Sequence, residues 1–137
     1  YNNIKEESGT IDKPIGRDPG NRLRNSVLLP GMPGAESAKT AVTHYSVIER
    51  FGQLTFIEAE LETGRTHQIR VHMAYIKHPL LGDELYGPAK NKYGAKRQML
   101  HAEVLGFIHP VTGEYMEFRC ALPGDYEGVL CRVRGML

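Results

Sequence analysis

Between Thr63 and Met73 the chain reads Thr63-Gly64-Arg65-Thr66-His67-Gln68-Ile69-Arg70-Val71-His72-Met73, which sets two arginines and two histidines within a few residues of each other. Guanidinium and imidazole groups so close together can bind an anion, hold a metal, or orient a reacting carboxylate. Core packing asks for none of them. Leu54 to Leu61, just upstream, reads as a strand rich in apolar and β-branched residues, and His78-Pro79 closes a short helical pattern downstream. The polar cluster therefore falls at a strand-to-helix junction, where functional groups are commonly mounted.

Taken one at a time, most chemistries fail on spacing. His67 and His72 stand five residues apart, which on a helix turns their side chains about 140° away from each other. They cannot chelate one ion together, and no carboxylate lies close in sequence to complete a ligand set, so no metal site is expected. Acyl transfer lacks a G-x-S-x-G elbow, and neither cysteine has a nucleophile's setting. Gly31, Gly34 and Gly64 carry neither a P-loop lysine nor a Rossmann context. What survives is a basic face in which His67, Arg70 and Ala74 share one side of a helix, next to an apolar stripe of Ile69, Met73 and Ile76. Arg70 at the border of a core needs a carboxylate, a phosphate or carbonyl groups, and spacing alone leaves a nearby Asp or Glu as one answer.

The whole composition is consistent with a binder of anions. The 137 residues, 41% of them hydrophobic, suffice for one folding unit and not for two ordinary ones. The formal net charge is only +1. Yet Arg65, Arg70, Lys77, Lys90, Lys92, Lys96 and Arg97 are opposed, between Arg65 and His101, by Asp83 and Glu84 alone, and such a stretch favours a polyanion. No apolar run is long enough to span a membrane or to begin a secretory leader, so a soluble, cytoplasmic protein without membrane contact is expected. Cys120 and Cys131 read as ordinary thiols.

The elements that must position these groups divide the chain into residues 1–40, a long loop or arm full of turn formers, and residues 41–137, made of hairpins, one helix and a basic loop. Alternation from Ala41 to Glu49, the turn Arg50-Phe51-Gly52-Gln53 and the strand Leu54 to Leu61 form a hairpin. Thr66 is placed to cap a helix of about ten residues ending near Lys77. Tyr86 to Arg97 is a basic loop. Leu100 to Ile108 and Glu114 to Leu122 are two further strands joined through His109-Pro110-Val111-Thr112-Gly113, and Glu127 to Met136 a short terminal helix. Strands outnumber helices and hairpins connect them, which predicts an α+β domain with a mainly antiparallel, mixed sheet and flanking helices.

Taken in order, several segments resemble the RluA type of RNA pseudouridine synthase. They are Leu61-Glu62 leading into Thr63 to His72, then His78-Pro79-Leu80-Leu81-Gly82-Asp83-Glu84-Leu85-Tyr86-Gly87, then Leu100-His101-Ala102 and His109-Pro110. Upstream, Gly9-Thr10-Ile11-Asp12-Lys13-Pro14-Ile15 and Lys39-Thr40-Ala41-Val42-Thr43 also look like family segments, so the likeness runs from about Gly9 to Asp125. The RluD-like branch, which modifies large-subunit ribosomal RNA, looks nearest.

The resemblance implies part of a pseudouridine synthase catalytic fold and a reaction without cofactor, in which a uridine is flipped into a cleft and an aspartate acts while the glycosidic bond breaks and the uracil rejoins through C5. The family's motif arginine falls on Arg70, which implies a distant aspartate as its partner rather than a nearby one. Arg65, Thr66, His67 and Gln68 would support the site. Arg17, Arg22, Arg24, Lys90, Lys92, Lys96 and Arg97 are the candidate contacts to RNA, ribosomal RNA first and transfer RNA second. The family's His-Arg-Leu-Asp segment occurs nowhere in the sequence. The expectation is therefore a truncated C-terminal portion of a catalytic domain, inactive alone, with an open sheet edge available for self-association. Its Arg70 would be hydrated, bound to an anion, or satisfied by a substitute. The rival from another class is a non-catalytic RNA-binding module; a structural protein on a borrowed fold is disfavoured by the retained Arg65, His67 and Arg70.

Overall fold

A computed structural model describes residues 1–108 and 110–135. His109, which belongs to one of the quoted segments, and the Met136 end of the expected terminal helix lie outside them. The described chain is α+β: seven strands, two α-helices and one 3-10 turn, with every strand pair antiparallel.

The hairpin expected from Ala41 onward forms β4 (Val42–Arg50) and β5 (Thr55–Leu61). Its alternating pattern puts Thr43, Tyr45 and Val47 on one face, and a register shift between Val47 and Glu49 leaves Ile48 exposed. Against the other side of β4 runs β1 (Ser8–Asp12), completing a three-stranded sheet in the order β1-β4-β5. Gly9 makes room there for the Tyr45 side chain of the paired strand, because a Cβ would stand 2.5 Å from the Tyr45 hydroxyl and push the ring aside.

The first forty residues are thus not a loose arm. Besides β1 they contribute a small ribbon, β2 (Ile15–Arg17) with β3 (Asn25–Val27), and they bury Ile4, Ile11, Ile15, Val27 and Leu28. Strands of three to five residues, interrupted by proline and glycine, are too short to show a period in sequence. Their backbone bonds reach residues far along the chain, as where Ile15 and Lys39 exchange both N–H···O=C bonds at 2.9 Å.

The helix α1 spans Gln68–Tyr75, shorter than expected at both ends. Thr66 does not cap it. His67 holds the N-cap position in a left-handed conformation, φ 55°, with no side-chain cap, because Thr66 lies in a turn closed by the Gln68 N–H on the Arg65 carbonyl at 3.0 Å. Met73 is buried with Ile4 and Ile11, and Ile69 and Ile76 pack against them. Val71 enters a different cluster with Ile15, Val27 and Ala41. One short helix therefore joins two parts of the core. A third cluster, around Phe51, Leu54 and Tyr93, is closed by Val129, Leu130 and Val133 of α2 (Gly124–Gly135). The hairpin of β6 (Val104–Ile108) and β7 (Tyr115–Arg119) stands as a separate ribbon.

Candidate active site

The groups of the Thr63 to Met73 stretch are held by hydrogen bonds that run in one consistent direction. The Val42 N–H donates to the Thr63 hydroxyl (3.0 Å), which donates to Gln68 Oε1 (2.7 Å). On the other end of that side chain, Gln68 Nε2 donates to the Val42 carbonyl (2.9 Å) and to Thr43 Oγ1 (3.0 Å). Thr43 in turn donates to His72 Nδ1 (2.8 Å), leaving the Nε2 proton of His72 for the Lys13 carbonyl (2.9 Å). This assignment satisfies every buried donor and acceptor in the chain of contacts with a neutral imidazole. Burial pushes His72 below its ordinary pKa, against weaker opposing effects of the Lys13 carbonyl and Asp12. Gln68, Thr43 and His72, all buried, act as a bolt that fixes α1 to β4 and to the turn before β2.

On the opposite side of α1 stands Arg70. Its Nε and Nη2 donate to the two carboxylate oxygens of Asp83 at 2.8 and 2.9 Å, a bidentate pair with a completely buried acid. The aspartate that the resemblance implies for Arg70 is not in this sequence, and within the chain Arg70 is satisfied by a substitute carboxylate thirteen residues away. A turn closed by the Asp83 N–H on the Leu80 carbonyl at 3.2 Å, with Gly82 at φ +80°, brings this carboxylate back to the helix. Asp83 Oδ1 also accepts the N–H groups of Leu85 and Tyr86. Burial alone would push the Asp83 carboxyl up, but the Arg70 hydrogen bond and charge, with the Tyr86 and Leu85 N–H groups, hold it below the usual carboxylate range. That same hydrogen bond raises Arg70, against a smaller effect of burial. The Arg70 side chain is only 14% exposed, and its Nη1 has no protein partner among the described residues.

Tyr86 completes the cluster. Its ring lies under Arg70, 5.1 Å from the guanidinium carbon, and its hydroxyl accepts the Asn25 N–H (2.9 Å) and contacts His67 Nδ1 (2.9 Å). Burial, then the Arg70 charge, lowers the His67 pKa against a raising effect of Asp83, so a neutral ring accepting the Tyr86 proton fits the contact. Asn25 Nδ2 donates to the Thr66 carbonyl (3.0 Å), tying β3 to the turn before α1. Of the residues singled out in sequence, Arg70 and His67 meet here, Gln68 lies on the buried side, and Arg65 and Thr66 line an adjoining groove. Asp83, Tyr86 and Asn25 were missed as site residues. Asp83 and Tyr86 stood inside the quoted His78 to Gly87 segment, which was the available signal; nothing local marks Asn25.

The seven candidate RNA contacts separate into free and occupied cations. Arg17, Arg22, Lys90 and Lys96 have no side-chain hydrogen bond or ion pair among the described residues, and Lys92 lies over the Tyr93 ring. Lys90 and Lys92 edge a concavity of about 670 Å³ beside Tyr1 and Tyr93. Arg24 is taken by Asp18 (2.9 Å), and Arg97 by both oxygens of Asp125 at 2.8 and 3.1 Å. No group of His, Cys, Asp or Glu among the described residues is arranged to hold a metal, and no described helix is long and apolar enough to cross a membrane.

Known proteins resemble this chain over most of its length. Residues 2–75, from the start of the chain to the end of α1, match the family described as RNA pseudouridylate synthase. An uncharacterized RNA pseudouridine synthase of Bacillus subtilis, YlyB, is 51% identical over 131 residues, covering 96% of this chain and 41% of that protein. The ribosomal large subunit pseudouridine synthase D of Vibrio cholerae is 50% identical over 129 residues, covering 85% of this chain and 38% of that one. Among solved structures, human RNA pseudouridylate synthase domain containing 1 superposes with a TM-score of 0.73 at 31% identity, over 89% of this chain and 51% of the human one. The chain spans about two fifths of the length of the curated relatives it matches. With the family match running through Arg70 and His67 to the end of α1, relatives of about 50% identity and a shared fold, the chain belongs to the RNA pseudouridylate synthase family, in its RluA type.

Proposed function

We propose that these residues form the arginine-bearing part of an enzyme that isomerises uridine to pseudouridine in structured RNA, with large-subunit ribosomal RNA as the target. The target is supported by relatives named for the large ribosomal subunit, at 44–50% identity. In the reaction the bond from ribose C1′ to N1 breaks, a bond from C1′ to C5 forms, the proton on C5 leaves and N1 gains one. Atoms and electrons balance without a cofactor, so the protein has to supply a carboxylate, a cation to orient it, and a cleft for the flipped base.

The observation that carries this reading is the state of Arg70. Asp83 fixes two of its nitrogens and Tyr86 supports its face, so the guanidinium plane is set, while Nη1 has no protein partner among the described residues. A cation held in this way keeps a nearby reacting carboxylate ionised and aligned. The 137 residues contain no His-Arg-Leu-Asp segment. On this reading that aspartate comes from outside them, and the isolated chain is inactive.

Tritium release from RNA carrying 5-tritiated uridine tests the proposal. Turnover is expected from a longer protein in which an aspartate segment accompanies these residues, with loss of at least about 100-fold on Arg70→Ala, the scale of a group that orients a reactant. The purified 137-residue chain should release nothing. Turnover by that chain alone would refute the missing-aspartate reading, and RNA binding without turnover by the longer protein would favour a non-catalytic binding module.

A further inference from the structure

Beside the Arg70 cluster runs an open groove of about 390 Å³ whose walls come from three separate parts of the chain. Arg17 and Asn25 are register partners on the β2–β3 ribbon, Lys39 belongs to the segment bridged to Ile15, and Gly64, Arg65 and Thr66 form the turn before α1. None of the side chains lining it is acidic, although the chain as a whole has nearly as many acids as bases. The cations are also uncommitted. Arg17 and Lys39 are exposed and make no side-chain hydrogen bond or ion pair among the described residues. Arg65 spends only its Nε, on the Thr40 carbonyl at 2.8 Å, which aims the guanidinium and leaves both terminal nitrogens free among the described residues. At Gly64 a Cβ would meet nothing within 4 Å, so the turn's backbone faces open space.

The groove leads somewhere. Asn25 belongs to its wall and is bonded both to Thr66 on the opposite wall and, through its N–H, to the Tyr86 hydroxyl that lies under Arg70. A polyanion lying along the groove would therefore pass directly alongside the His67, Arg70 and Tyr86 cluster. We propose that this groove carries the sugar–phosphate backbone of an RNA strand, with Arg17, Lys39 and Arg65 each meeting a phosphate, so that the strand is led to the Arg70 site. The proposal rests on the RNA-modifying reading above. It adds Lys39, which the sequence reading had not named as an RNA contact, and sets aside Arg24 and Arg97, which are paired with Asp18 and Asp125.

Fluorescence anisotropy with a labelled single-stranded RNA oligonucleotide, titrated at several salt concentrations, provides the test. Each single-strand phosphate neutralised contributes about 0.7 to the slope of log affinity against log salt. Arg17→Gln and Lys39→Gln should each lower the slope by about 0.7, and the triple variant with Arg65→Gln by about 2. Arg24→Gln and Arg97→Gln should leave it unchanged. Since the Arg17 and Lys39 side chains hold no intramolecular bond among the described residues, their single variants keep the test valid even if the triple variant is unstable. A wild-type slope in both single variants, equal losses in the Arg24 and Arg97 variants, or no RNA binding by the wild-type chain would each overturn the groove. Tritium release by the longer protein is scored separately. Turnover that is indifferent to the groove variants sinks the groove alone, and groove-dependent binding without turnover sinks the enzymatic reading alone.

Discussion

At the scale of single residues, the Arg70–Asp83 pair sets the stability of the site. Asp83 is fully buried and gives its oxygens to a guanidinium and two backbone N–H groups. Asp83→Asn keeps the shape, removes the charge, and presents N–H protons to donors, leaving Arg70 largely buried without a counter-ion. The expected cost near neutral pH is about 3 to 5 kcal/mol, read by urea denaturation. The pH dependence has a definite sign. Because the folded state holds the Asp83 carboxyl below its ordinary range, its stabilisation is complete above the unfolded value of about 3.9 and is lost as pH falls through the lower folded value. Wild type should therefore weaken on acidification below about pH 3.9 more than the Asn variant does, and parallel curves would show that the pair contributes no charge-dependent stability.

At the scale of elements, the decisive feature is the turn that brings Asp83 back to α1. It depends on Gly82, whose φ of +80° suits glycine, and whose absent side chain makes room for the Arg97 carbonyl. Gly82→Ala adds a collision with backbone to the conformational strain. Gly113 also has a positive φ, 72°, but a Cβ there meets nothing within 4 Å. The Gly82 variant should lose well over about 1 kcal/mol in thermal or urea unfolding, and Gly113→Ala about 1 kcal/mol. Equal losses would mean that the contact with Arg97 is easily relieved. Elements such as the β4–β5 hairpin were legible because alternation and a glycine turn are local signals. The strands before Thr40 and the left-handed start of α1 were not, since long-range pairing and the Asn25 and Tyr86 contacts determine them.

At the scale of the whole molecule, α2 is held mainly by packing. Val129, Leu130 and Val133 enter the cluster with Phe51, Leu54 and Tyr93, while its ion pairs Arg97–Asp125 and Glu49–Arg134 lie at the surface, where solvent screens them. Leu130→Ala should cost about 2 to 5 kcal/mol, and Arg134→Gln should leave the unfolding midpoint nearly in place. The opposite order would place the attachment of α2 in its charges. The fold neighbours continue well beyond the aligned region, since this chain covers 51% of the human structure. Among the described residues, β1 and β5 are the two edges of the three-stranded sheet.

The residues alone determined the α+β class, the hairpin, the strand-to-helix location of the Arg65 to His72 cluster and, through ordered segments, the family. These are properties of local pattern and motif order, which a linear chain carries. Only the tertiary structure decided that Arg70 lies on Asp83, that Tyr86 bridges Asn25 and His67, and that Arg17, Lys39 and Arg65 share one groove. Side-chain partnership depends on where the chain reverses and which elements stack, and a guanidinium takes whichever carboxylate that geometry brings within reach.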